Sequence, residues 1–127
     1  MNNMLTSAVR RWRMIALITA LFATPAALAH AHLKNQYPAA GAEVTAAPQA
    51  LTLTFSEGIE AQFSGISVTG SQQQIIPTGA IKRNENDKMQ MIVPLEQPLT
   101  PGQYTVNWHV VSVDGHKTHG QYQFSVK

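Results

Sequence analysis

The sequence contains no cysteine. That excludes disulfides, thiolate zinc sites, iron–sulfur clusters and cysteine-ligated blue copper. Charge is scarce as well: only 13% of the 127 residues are Asp, Glu, Lys or Arg. Of the four arginines, Arg10, Arg11 and Arg13 lie near the start and only Arg83 lies further on. From residue 30 onward, five lysines and one arginine face seven carboxylates, a net charge of −1. The basic pI of about 9.2 therefore comes from the first 29 residues, and a basic nucleic-acid-binding protein is excluded. Long hydrophobic runs are missing too. The apolar stretch Met14–Ala23 is ten residues, too short to span a bilayer.

That stretch has the marks of an export signal. A positive segment, Met1–Arg13, precedes it, Thr24-Pro25 breaks it, and Ala27-Leu28-Ala29 supplies a small-x-small cleavage pattern. The expectation is a signal peptide over residues 1–29, cleaved after Ala29, and a periplasmic product. Arg10-Arg11 leaves both the Sec and the twin-arginine route open. Residues 30–127 number 98, enough for one domain and one core. The exported form is expected not to span a membrane, and to be a monomer.

Periodicity in those 98 residues is that of strands. Leu51, Leu53 and Phe55 alternate with threonines, and Ile66 and Val68 alternate in the segment Ser64–Thr69. Met89, Met91 and Val93 share a phase, as do Tyr104, Val106, Trp108 and Val110, and then Tyr122, Phe124 and Val126. Short extended pieces at Leu33–Tyr37 and Gln74–Ile76 bring the count to about seven, with prolines and glycines between them. No helical stripe follows the signal. The fold class expected is all-β, a small Greek-key antiparallel sandwich of immunoglobulin-like or cupredoxin-like type. Thr100-Pro101-Gly102-Gln103-Tyr104 has the form of a tyrosine corner. The charged segment Lys82–Lys88 reads as a solvated hairpin tip.

Histidine is the residue in excess: His30, His32, His109, His116 and His119. Cleavage after Ala29 would make His30 the first residue. It would then offer two nitrogen donors, a ring nitrogen and an α-amine whose ordinary pKa of about 7.7–8.0 lets a metal displace its proton. Asp114-Gly115-His116 is a turn that can aim a carboxylate and an imidazole at one centre. The α-amine and ring of His30, the ring of His116 and an oxygen of Asp114 make three nitrogens and one oxygen, a set that suits square-planar Cu(II). A plain Asx turn accounts for Asp114 and His116 equally well. A local chelate competes as well: the terminal amine, two deprotonated amides and the ring of His32, permitted because Ala31 is not proline. His109 reads as a sheet-surface residue. His119 reads as exposed, with an outer-sphere donor role as the alternative. Glu57 leaves a strand at a turn, either solvated or bonded to a metal ligand. Met89 and Met91 read as core residues rather than a Cu(I) thioether pair. Ser56, Ser112 and Ser125 lack a nucleophile-elbow context, so no hydrolase is indicated.

Taken together, these segments resemble a known family. Tyr37-Pro38-Ala39, Leu53-Thr54-Phe55-Ser56-Glu57, Phe63-Ser64-Gly65, Pro101-Gly102-Gln103-Tyr104, Val106-Asn107-Trp108 and Val110-Val111-Ser112-Val113-Asp114-Gly115-His116 are similar to the CopC-type copper-resistance proteins, in particular the short YobA-like branch. The resemblance covers residues 30–127. It implies a Greek-key sandwich binding one Cu(II) per mature chain through His30, Asp114 and His116, with Glu57 nearby. It also implies a copper buffer or carrier in copper homeostasis or resistance, not an enzyme. The partner it suggests is a CopD-type inner-membrane protein. The methionine-rich loop of some members is absent, so a Cu(I) site is not expected. Ala31 stands where some members have proline, which keeps His32 open as an alternative ligand. The competing reading is an oxidative enzyme with a copper brace, as in polysaccharide monooxygenases. Asp114 argues against it by occupying a position that oxygen chemistry needs open.

Overall fold

The computed structural model describes residues 30–127; the signal-peptide expectation falls on residues outside that range. Among the described residues, nine strands form two sheets. They are β1 (Leu33–Tyr37), β2 (Glu43–Val44), β3 (Ala50–Phe55), β4 (Gly65–Gly70), β5 (Ile75–Ile76), β6 (Lys82–Asn84), β7 (Asp87–Pro94), β8 (Gly102–Val111) and β9 (Lys117–Val126). One sheet runs β1-β3-β7-β6 and the other β2-β9-β8-β4-β5. A single 3-10 turn, Ala61–Phe63, is the only helical element among the described residues.

The alternation in the sequence is the alternation in the core. Leu51, Leu53 and Phe55 of β3 are fully buried, as are Met91 and Val93 of β7. Facing them are Val68 of β4, Tyr104, Val106, Trp108 and Val110 of β8, and Tyr122, Phe124 and Val126 of β9. Phe55 and Trp108 meet edge to face across the sandwich at 5.1 Å, a favoured aromatic geometry. Two buried polar atoms, Trp108 Nε1 and Tyr122 Oη, have no hydrogen-bond partner. Burial pushes the Tyr122 phenol well above its ordinary pKa.

Four details depart from the sequence reading. Nine strands replace about seven, because β2 and β5 are two-residue edges too short to carry a period. β2 runs parallel to β9, so the sandwich is not wholly antiparallel. Met89 is 40% exposed rather than core, and the β6–β7 register slips between Arg83 and Asn84, opposite that stretch of β7. The solvated tip is also narrower than Lys82–Lys88, since β6 and β7 extend into it and leave Glu85 and Asn86 as the turn.

The tyrosine corner is present: Tyr104 Oη donates to the Thr100 carbonyl at 2.5 Å. Trp108 imposes a second local requirement. Its β9 partner is Gly120, and a Cβ there would lie 2.5 Å from the indole Cζ2. Gly120→Ala is therefore expected to lower stability by about 1–3 kcal/mol through overpacking. Tyr104→Phe is expected to cost about 1 kcal/mol through the lost bond. Urea denaturation of each variant measures both.

Candidate metal centre

The candidate residues gather at one end of the sandwich, where β3 ends and where β8 turns into β9. The turn is built on Ser112, the next position in the buried phase of β8 after Val110. Ser112 is fully buried. Its backbone N–H donates to the His116 carbonyl at 2.9 Å, and the Gly115 N–H returns to the Ser112 carbonyl at 2.8 Å. Gly115 has φ +89°, a left-handed conformation that glycine adopts without strain. The tight loop so formed carries Asp114 and His116 to the surface.

A chain of polar contacts orients both side chains. The Ser112 hydroxyl donates to Asp114 Oδ1 and accepts from the His116 N–H at 3.2 Å. Asp114 Oδ2 lies 2.9 Å from His116 Nδ1. In the neutral ring Nδ1 therefore carries the proton and Nε2 keeps its lone pair. The hydroxyl of Ser112 and the ring of His116 together hold the Asp114 carboxyl at a pKa of about 2, below its ordinary 3.8.

The other half of the site comes from the far end of the described chain. Ala31 is 1% exposed and belongs to the core. Its carbonyl accepts from Thr118 Oγ1 of β9 at 2.9 Å. The His32 N–H donates to Ser56 Oγ at 2.8 Å, the Ser56 N–H donates to the His32 carbonyl at 2.8 Å, and the Ser56 hydroxyl donates to the His30 carbonyl at 3.3 Å. Residues 30–32 are thus fastened to both sheets. The result is that the His30 and His116 rings meet edge to face, their centroids 4.8 Å apart and their planes at 83°.

His30, Asp114 and His116 are therefore brought together. Glu57 is half-buried, and its neighbour Gly58 accepts from the Val113 N–H at 2.9 Å, which puts Glu57 beside the same loop. The His32 side chain is exposed while its backbone serves Ser56. His119 is not part of this cluster but faces His109 across β8 and β9. Among the described residues, no three His, Asp or Glu side chains are grouped closely enough to hold a metal ion as they stand. Two approaching imidazoles and a carboxylate bonded to one of them are what is assembled. Ser112, Ser56 and Thr118 went unrecognised from sequence as organisers. Ser112 did leave a signal: a small hydroxyl where the buried phase of Val106, Trp108 and Val110 called for an apolar residue.

The sequence pattern of the CopC domain family matches residues 33–127. The chain belongs to that family. It is similar to Protein YobA of Escherichia coli strain K12, 61% identical over 113 residues that make up 89% of this chain and 91% of the relative. The fold is similar to the crystal structure of CopC from Methylosinus trichosporium OB3b, with a TM-score of 0.72 and 31% identity over 77% of this chain and 94% of that one. It is also similar to the crystal structure of PcoC, a methionine-rich copper resistance protein from Escherichia coli, with a TM-score of 0.69 and 34% identity over 78% of this chain and all of that one. The β-sandwich expected from periodicity is the fold of these CopC-family structures.

A depressed carboxylate pKa works on folding in one direction. The Asp114 contribution is fully present above the unfolded value of 3.8 and is lost as pH falls through about 2. A carboxyl-carbon NMR titration is expected to place the Asp114 midpoint near 2. In Ser112→Ala the midpoint is expected to rise toward the ordinary value.

Proposed function

We propose that the chain is a periplasmic Cu(II)-binding protein of copper resistance or homeostasis, a buffer or carrier rather than a catalyst. The observation that carries the proposal is the 4.8 Å approach of His30 to His116, two residues from opposite ends of the described chain. Cleavage after Ala29 frees the α-amine of His30. That amine, the rings of His30 and His116 and an oxygen of Asp114 then give Cu(II) three nitrogens and one oxygen, a tetragonal set suited to this ion. The loop prepares His116 for the role. It holds Asp114 and His116 side by side, 2.9 Å apart, and their hydrogen bond opens as copper takes a carboxylate oxygen of one and a ring nitrogen of the other. Glu57 stands near enough to the loop to act on the ligands from outside.

Family membership supports the copper assignment, as PcoC is a copper resistance protein. Met91 is sealed in the core while Met89 is exposed, so the two thioethers do not meet at one accessible point, and the proposal includes no Cu(I) site. A CopD-type inner-membrane protein is the proposed recipient of the copper.

The local chelate through His32 is disfavoured by the same backbone that orients His30. It needs the His32 amide deprotonated, yet that N–H is bonded to Ser56 Oγ. It also needs Ala31 drawn out of the core, at the cost of the Thr118 bond. The oxidative-enzyme alternative is disfavoured by Asp114, which as a copper ligand would take a position that oxygen activation needs open.

A Cu(II) competition titration on protein beginning at His30 tests the assignment. His116→Ala is expected to lose a hundredfold or more in affinity, about 2.7 kcal/mol. His32→Ala is expected to lose less than about threefold, roughly 0.6 kcal/mol. The reverse ranking would place copper in the local chelate.

A further inference from the structure

The outer face of the five-stranded sheet carries two imidazoles that the candidate centre does not use. His109 of β8 and His119 of β9 are register partners in an antiparallel ladder, and both side chains are exposed. Directly opposed residues on one sheet face have Cβ atoms about 4.5–5.5 Å apart. Two imidazoles at that spacing reach a common ion at metal–nitrogen distances of about 2.0–2.1 Å.

The surroundings leave room for it. His109 and His119 line one shallow groove of ≈ 330 Å³ together with Ser67 and Asn107. On the β4 side the partner of His109 is Gly65, and the imidazole lies over that bare backbone: a Cβ at Gly65 would fall 2.1 Å from His109 Cε1. The exposed ring therefore leans over β4, and a rotation about its side-chain torsions is needed to carry it toward β9. The next rung along the ladder pairs Asn107 with Gln121, whose amides offer hydrogen bonds to water on the ion. On the opposite side of the histidine pair, Lys117 faces Val111, and its charge lowers the affinity of any cation bound here.

We propose that His109 and His119 form a second metal site, a surface clasp for a divalent late first-row ion, with Cu(II) the preferred occupant. Two neutral imidazoles suit Cu(II), which heads the affinity order for nitrogen donors among these ions. Water fills the remaining positions. With two protein ligands and no carboxylate, the clasp binds more weakly than the centre at His30 and His116. It therefore loads second.

The test is equilibrium dialysis against Cu(II), with the full sequence expressed and the protein purified as the cell processes it. The unsubstituted protein is expected to take up two equivalents in two steps. His109→Asn and His119→Asn are each expected to weaken the second step at least tenfold and leave the first unchanged. Both are exposed sheet positions, and circular dichroism checks that the fold persists. In His116→Ala the weaker equivalent is expected to remain, which separates this clasp from the N-terminal centre. A single equivalent in the unsubstituted protein would overturn the proposal. So would a second equivalent that survives in both His109→Asn and His119→Asn.

Discussion

The fastening of residues 30–32 across the end of the sandwich is the constraint on which the site depends. Thr118, at the start of β9, holds the Ala31 carbonyl, and Ser56, at the end of β3, holds the backbone of His32 and His30. The two holds come from different sheets. Burial of the Ala31 methyl adds an apolar contact between them. In the proposed processed form residues 30–32 are a chain terminus, which ordinarily frays unless it is tied down. Here the ties fix the position from which His30 meets His116, and they occupy the backbone amide that a purely local copper chelate would need.

The loop from Ser112 to His116 supplies the complementary half. A buried hydroxyl at the end of β8 anchors an exposed carboxylate, and the carboxylate anchors an exposed imidazole. Each link orients the next without needing burial of charge. Asp114 stays ionised far into acid because its charged form is the one that the serine and histidine donors stabilise. In the proposed function that negative charge faces an incoming dication, which takes the place of the proton shared between Asp114 and His116.

Much of this was readable from residues alone, and the parts that were not have physical reasons. The strict alternation in β3, β8 and β9 follows from one buried face per strand, so the core from Leu51 to Val126 was legible. Two-residue strands such as β2 and β5 have no period to read, and the parallel pairing of β2 with β9 depends on a crossover that no local pattern encodes. Met89 sat in phase with Met91, yet burial depends on what faces a strand as well as on its phase. Of the candidate centre, His30, Asp114 and His116 stood out as metal-ligand types in suggestive positions. The serines and the threonine did not, because a hydroxyl that bonds backbone looks in sequence like any solvated one. Their role appears only when residues far apart in the chain are brought to one end of the fold.

The central claim is that copper bridges the N-terminus and the Ser112–His116 loop. Paramagnetic broadening of backbone amide NMR signals by one equivalent of Cu(II) tests it most directly, on protein beginning at His30. The account predicts that signals of residues 30–32 and of residues 112–116 vanish together, in the same proportion, at every substoichiometric addition. Loss confined to residues 30–32, with the signals of residues 112–116 intact, would contradict it.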